Sequence, residues 1–473
     1  MKPNILFLLI DSFREDKCYG NNKTSITPNI DSLIQNNVYF TQTICSAPVT
    51  CPSVSSILTS RYPFESIIQS ENHYKLNPNI PTYIDDFITL GYTPYALTPE
   101  LISYMGLKKV FTNNVETYNS SSTLYDGLGE RIIEKLNSQN LKEPWIFYIH
   151  LLDLHGSATF QLSDGPKKYE NKQYGSNQYE RMISALDVWI GKIIDKINLE
   201  NTLVVVTSDH GSEAGDYTEV IEQYKKDIHQ YKKIYFKSTH KITSKFPVLS
   251  PIRSTISNIY SKRKREKVAL KRQEEAKKID EKDLTPYEKR LIKSAVDLTL
   301  NVYDDRFHTP LIFAGYNINS HKIINQQVRS VDIFPTIAAI IGCNIENNDR
   351  RGQNLLPLIQ GNVLKEQPTM VESTPNSPKS LTSNTIGIRT SKYKYFRDRT
   401  ESTKNIHLFD LIKDPLEEIN IATSNPNLVN ELENELLNIK NNGNFEVKKE
   451  LITNENENEN ELIEKELKKL GYI

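Results

Sequence analysis

TLVVVTSDHG, residues 202–211, is an unbroken apolar and β-branched run that ends in an acid, a histidine and a glycine. Such a run, bounded by polar residues, reads as a strand buried on both faces, which is the habit of parallel sheets. NILFLLID at residues 4–11 has the same form and ends in Asp11, while WIFYIHLL (145–152) and TPLIFAG (309–315) repeat it. All four are read as buried parallel strands. Between them, TPNIDSLIQNN (27–37) and YERMISALDVWIGKIIDKI (179–197) carry apolar residues at three- and four-residue spacing, the mark of amphipathic helices. Strand alternating with helix predicts an α/β layered fold on a large, mostly parallel central sheet flanked by helices.

The chain has 473 residues, enough for a substantial core and for one large domain with a satellite, or two to three domains. Its 58 Lys and Arg nearly balance 59 Asp and Glu, so no global field points to nucleic acid or membrane. Cys18, Cys45, Cys51 and Cys343 show neither CxxC nor disulfide-dense spacing; they read as free thiols and suit a reducing compartment. The opening apolar run is about seven residues long, too short for a signal peptide or a spanning helix, and no later run reaches about 18. The expectation is a soluble, cytoplasmic protein.

Three regions follow from composition. Residues 1–363 form the expected α/β domain, interrupted at about 216–298 by a helical insertion. Residues 221–293 of that stretch hold 21 Lys and Arg against 9 Asp and Glu. The basic run SKRKREKVALKRQEEAKKIDEKD (261–283) is either a solvated surface excursion or an arm that docks an anionic membrane, polymer or partner. Residues 364–422, with NTIGIRTS, KYKYFRD and IHLFDLI, read as a small antiparallel sheet. Residues 423–473 read as a polar linker, including NENENENE, and a terminal helix.

An aspartate at the carboxyl end of a buried strand faces the crevice where open α/β sheets bind ligands. Asp11 and Asp209 both stand there, and His210 adds a nitrogen, a set that can hold a divalent cation with positions left open. A lone Asp in that place is otherwise a helix cap, but Gly211 gives the second strand end the freedom to turn beside a ligand. Thr50 stands ahead of a helical pattern, as a simple N-cap or as a hydroxyl at an anion-binding helix start.

The string SAPVTCPSVSSILTSRYP (46–63), following TPNIDSLIQNNVYF, resembles the core of the sulfatase family, a branch of the alkaline phosphatase superfamily. There a strand ending in Asp leads to TPNID, then CxPSR, then LTGRYP. Leu58, Thr59 and Arg61 match LTxR, Pro52 and Ser53 match PS, and the family spacing counted back from Leu58 puts Thr50 at the nucleophile, with Cys51 one residue out of register. Val54 replaces the Arg of CxPSR. Thr cannot give the formylglycine aldehyde of sulfatases, so Thr50 is similar to the unmodified nucleophile of phospho-transfer members of the superfamily.

The resemblance runs on. YIHLLDLHG (148–156) resembles vHlxDPHxPY and carries His155 onto the substrate-contacting position, with His150 as core support. LDVWIGKIIDKI, VYDDRFHTPLIFAG, VRSVDIFPTIAAIIG, RRGQNLLPLIQG, RTSKYKYFRD, HLFDLIKDPLEEINIA and LKKLGYI match further family segments. Two departures stand out: Ser12 replaces the second aspartate after the first strand, and no His soon follows SDHGSEAGD, His229 and His240 lying inside the insertion.

The resemblance therefore implies an alkaline-phosphatase-like sandwich and one divalent cation, Ca, Mg or Mn ahead of Zn, on Asp11, Thr50, Asp209 and His210. Catalysis falls to Thr50, His155 and Arg14, the last being the best nearby cation or else an anchor of the first loop. The expected activity is hydrolysis or transfer of phosphate or sulfate esters through a covalent Thr50 intermediate, with phosphoesters favoured. A sulfuric ester hydrolase acting on a sulfated glycan or small molecule, and an inactive scaffold, are the alternatives. Expected partners are an anionic ester, such as a cell-surface glycan or lipid headgroup, with peripheral membrane contact through the insertion and no nucleic acid.

Overall fold

The structure is a computed structural model. It describes residues 2–69, 73–112, 114–137, 141–155, 167–218, 221, 223–224, 274, 277–294, 302–318, 320–345, 349–373, 385–441 and 463. Of these, Met1–Gly215 with Val302–Ile473 belong to one compact unit and Asp216–Asn301 to a second.

In the larger unit, β1 (Asn4–Ile10), β2 (Val38–Ile44), the hairpin β3 (Ile67–Gln69) and β4 (Tyr74–Leu76), β5 (Thr93–Pro99), β6 (Val115–Tyr118), β7 (Trp145–Leu151) and β8 (Thr202–Thr207) precede the second unit. After it come β9 (His308–Gly315), β10 (Lys322–Ile324), β11 (Val328–Arg329), β12 (Thr369–Glu372), β13 (Thr385–Arg389), β14 (Tyr393–Asp398) and β15 (His407–Asp410). The central sheet runs β10-β2-β9-β8-β1-β7-β5-β6, with β11 also on β2. β1 lies between β7 and β8, parallel to both, so the two aspartate-ending strands are neighbours. Asp11 and Asp209 thus emerge on one edge of the sheet.

One expectation is corrected. TPLIFAG, read as a parallel strand, forms β9 and pairs antiparallel with both β2 and β8. A strand buried on both faces has the same apolar composition in either direction, so periodicity carries no information about its polarity. The sheet is mixed but mostly parallel.

Alternation along β1 feeds two layers. On one face Phe7 stacks between Tyr148 and Phe334, with ring centroids 5.6 and 5.2 Å away, and Ile5, Phe7 and Leu9 join Ile57, Leu58, Phe87 and Ile337 in one buried cluster. Elsewhere the helices Pro28–Asn36 and Gln178–Ile194 are tied by Asp187, whose carboxylate accepts the Ile30 N–H at 2.8 Å and the Asn29 amide at 2.8 Å. Both elements were legible from their periodicity.

β12 to β15 form a four-stranded antiparallel sheet in sequence order. The helix Pro426–Asn441 places Leu432 and Leu436 in the cluster that also holds Ile388 and Tyr395. The sheet is anchored by buried ions: Asp304 receives Arg389 and Lys394 at 2.9 Å each, and Lys394 also meets Glu417 at 3.1 Å. Burial alone would raise the Asp304 carboxyl, but Arg389 and Lys394 outweigh it and hold it far below the ordinary carboxylate range.

Within the second unit, Thr285 and Glu288 form a capping box at the start of the helix Pro286–Lys293, and the Tyr287 hydroxyl donates to Asp216. Most of the basic run 261–283, the NENENENE repeat and, apart from Ile463, the terminal helix lie outside the described residues. Among the described residues no helix is long and apolar enough to cross a membrane.

Candidate active site and metal centre

Asp11 follows β1 immediately, and its N–H donates to the Leu151 carbonyl at 2.9 Å. The next residue, Ser12, takes a left-handed backbone, φ +65°, costly for a side chain other than glycine and held only where surroundings fix it. The fixing contacts are visible. The Ser12 N–H donates to Asp209 Oδ1 at 3.2 Å, its hydroxyl donates to Asp11 Oδ1 at 2.6 Å, and the Tyr179 hydroxyl donates to its carbonyl at 2.7 Å. In place of a second aspartate, Ser12 therefore ties the two acidic strand ends together.

Thr50 is the first residue of the helix Thr50–Thr59 and is buried. Its hydroxyl does not cap that helix: it donates to Asp11 Oδ2 at 3.0 Å and stands 3.4 Å from His210 Nε2. Cys51, the alternative register, points elsewhere, its thiol donating to the Tyr74 carbonyl at 3.2 Å. Burial pushes that thiol up to about 12, which leaves it unreactive.

His210 Nδ1 lies 2.9 Å from the Gly211 carbonyl. A carbonyl only accepts, so Nδ1 carries a proton, and the ring turns Nε2 towards Thr50 and towards Asp209 Oδ2, the latter 3.4 Å away. Asp11, Asp209 and His210 each offer a ligand atom within 4.8 Å of the others, and all three are buried. Asp209 Oδ2 has no hydrogen-bond partner. An orphaned carboxylate oxygen in a buried cluster with a second carboxylate and an imidazole nitrogen is the arrangement a divalent cation satisfies, so these residues fit such an ion.

Electrostatics mark the cost of the cluster without one. Burial, then the Asp11 charge, raises the Asp209 carboxyl. Burial works the same way on Asp11, but His155, His150 and His210 outweigh it and hold Asp11 well below the ordinary range. His155 Nδ1 is 3.0 Å from Asp11 Oδ1, and His150 Nε2 is 3.6 Å from Oδ2. For His155 burial opposes the charge, yet Asp11 prevails and raises its pKa.

Asp11, Thr50, His155, Asp209 and His210, chosen from four separate stretches of sequence, thus meet in one place. Arg14 is engaged elsewhere. Its guanidinium holds Asp16 through Nε at 2.8 Å and NH2 at 2.7 Å, with NH1 on the Ser212 carbonyl at 3.3 Å. The loop-anchor alternative describes these contacts.

Asp153, between the two histidines, accepts the Leu124 N–H at 3.0 Å, and burial pushes its carboxyl up to about 7. A native value above the unfolded one means that stability is fully present below about pH 4 and is lost as pH rises towards 7, by on the order of 4 kcal/mol. Asp153→Asn is therefore expected to melt higher than the parent at pH 8, the gap closing as pH falls to 4.5. Thermal melts at both pH values check this, and a gap independent of pH would rule it out.

The mostly parallel central sheet with its small C-terminal antiparallel sheet is the alkaline-phosphatase-like fold of hydrolytic enzymes, and the acids and histidines at its strand ends are the candidate centre. The chain belongs to the sulfatase family: the Sulfatase family model matches residues 3–343, and the model described as N-sulphoglucosamine sulphohydrolase, C-terminal, matches residues 299–442. It is 21% identical to Arylsulfatase K of Danio rerio over 467 residues, covering 91% of this chain and 82% of that protein. It is 42% identical to Arylsulfatase D of Homo sapiens over 76 residues, which are 16% of this chain but only 13% of that protein. Among solved structures, one from work on metabolism of multiple glycosaminoglycans by Bacteroides thetaiotaomicron superposes with TM-score 0.62 at 14% identity, covering 93% of this chain and 96% of that one. The phosphonate monoester hydrolase of Agrobacterium radiobacter superposes with TM-score 0.61 at 16% identity, with the same coverage.

Proposed function

We propose that this sulfatase-family enzyme cleaves or transfers phosphate-type esters, phosphodiesters or phosphonate monoesters ahead of sulfates, with Thr50 as an unmodified nucleophile. One observation carries the reading: the Thr50 hydroxyl, at a helix start, donates to Asp11 and stands 3.4 Å from His210 Nε2. Asp11 orients the Thr50 hydroxyl through the hydrogen bond it accepts, and the hydroxyl proton passes to water as the Thr50 oxygen bonds to phosphorus. The bond to the leaving oxygen breaks in the same in-line displacement, and His155, whose protonated form Asp11 favours, supplies that oxygen with a proton. Water or an acceptor alcohol then displaces the ester from Thr50. Asp11, Asp209 and His210 would hold a divalent cation, which would supply Lewis acidity, lowering the pKa of a nearby hydroxyl and offsetting anionic charge. Oxygen-rich ligands favour Ca, Mg or Mn.

The second reading is a sulfuric ester hydrolase acting on a sulfated glycan. It is supported by the match to the N-sulphoglucosamine sulphohydrolase C-terminal model and by the arylsulfatase relatives. A side-by-side assay of aryl phosphate monoesters, diesters, phosphonate monoesters and sulfates, with Ca, Mg and Mn varied, separates the two. Diester or phosphonate turnover exceeding sulfate turnover is expected; sulfate turnover alone would establish the second reading. We further place the protein in a reducing compartment, which suits its four free thiols.

A further inference from the structure

β7 runs parallel to β1 with His150 opposite Leu9 and Leu151 opposite Ile10. Side chains alternate along a strand, so Tyr148 and His150 share one face of β7. Tyr148 is fixed in an aromatic layer, its ring 5.6 Å from Phe7 and 5.4 Å from Phe111. The Tyr148 hydroxyl stands 3.0 Å from His150 Nδ1, and the Tyr118 hydroxyl donates to the His150 carbonyl at 2.6 Å, so both ring and backbone of the histidine are held. His150 is fully buried, yet its Nε2 has no hydrogen-bond partner among the described residues. That nitrogen faces Asp11 Oδ2 at 3.6 Å, the oxygen that also receives Thr50. A buried nitrogen left unpartnered costs stability. Packing alone does not account for it, because an apolar ring would fill the same space without that cost.

We propose that Tyr148 and His150 are positioning residues for the cation centre: the Tyr148 hydroxyl donates to Nδ1, which puts the imidazole proton on Nε2, and that N–H steers the Asp11 carboxylate into place. The other Asp11 oxygen is held by the Ser12 hydroxyl at 2.6 Å and by His155 Nδ1 at 3.0 Å. With His150 facing Oδ2, the protein orients both oxygens before an ion arrives, and a ligand set in advance lowers the cost of assembling the site. This rests on the divalent-cation reading above and adds two residues of β7, neither of them a ligand.

The test uses the full chain, stripped by a chelator, with Mn alone as probe. Binding is followed by calorimetry and by the electron paramagnetic resonance of the ion, and the melting temperature is taken before metal is added. His150→Phe is expected to weaken Mn binding about tenfold or more, while the stripped variant melts no lower than the stripped parent, since an apolar ring replaces an unpartnered nitrogen. His150→Gln returns an amide N–H close to the place of Nε2 and should recover most of the affinity. Tyr148→Phe removes one oxygen from an aromatic layer that otherwise keeps its shape, and should weaken binding in the same direction by a smaller factor; if the His150→Phe ring does not fit, this variant carries the test. Affinity within about twofold of the parent in His150→Phe, well short of an outer-shell effect, or an equal loss in His150→Gln, would overturn the proposal. Unchanged affinity in Tyr148→Phe would overturn the pairing of the two residues. A parent chain that binds no Mn would instead overturn the cation reading on which the pair depends.

Discussion

Thr50→Ala is expected to reduce turnover of the preferred aryl ester by on the order of 10⁴-fold or more. A nucleophile removed from a covalent route leaves only the residual acceleration from binding and electrostatics. The fold should survive, because the Thr50 hydroxyl makes no cap bond to its own helix. Thr50→Ser retains a hydroxyl at the same place and should keep activity within about tenfold, the less hindered alcohol offsetting a looser rotamer. Cys51→Ala should leave turnover intact, because that thiol donates to Tyr74 and burial disfavours its thiolate. Intact-mass analysis after rapid quenching should find the transferred group on Thr50. Full activity in Thr50→Ala would show that water attacks directly and would remove the covalent step.

The split between what was readable in the chain and what was not follows physical lines. Strand ends carrying Asp11, Asp209 and His210 were legible because a buried apolar run that stops at a polar residue announces both strand and edge. Thr50 was legible only through its register within SAPVTCPSVSSILTSR, and the turn of Cys51 towards Tyr74 was not. The polarity of β9 was hidden because both faces of the strand are buried. Arg14 was read from sequence as the best nearby cation or an anchor of the first loop, and only folding reveals that Asp16 and the Ser212 carbonyl hold it. Ser12 looked like a lost ligand. The left-handed turn that lets its N–H reach Asp209 and its hydroxyl reach Asp11 is a tertiary fact, because locally such a backbone is unfavourable for serine.

Asp209→Asn is expected to produce opposite effects on stability and on metal binding, and the crossing of the two is the informative measurement. In protein stripped by a chelator, Asp209 is a buried carboxylate with one oxygen unpartnered, raised by burial and then by Asp11. A raised native value means that the stability of the stripped parent is fully present below the ordinary carboxylate pKa near 4 and is lost as pH climbs. Removing that charge should therefore raise the melting temperature of the stripped variant above that of the stripped parent at pH 7.5, by several degrees for on the order of 1–3 kcal/mol. Asn Oδ1 can still accept from Ser12 and His210, which keeps the loop in place. Adding Ca, Mg or Mn should reverse the order: a ligand at about 100 times its Kd stabilises the native state by about 2.7 kcal/mol, and only the parent keeps both aspartates to bind it. Elemental analysis should then find about one ion per parent chain and far less in the variant. Melting curves that cross on metal addition would tie Asp209 to the cation. If the stripped variant melts higher and the parent fails to respond to any of the three metals, the assignment of Asp209 to a cation is wrong.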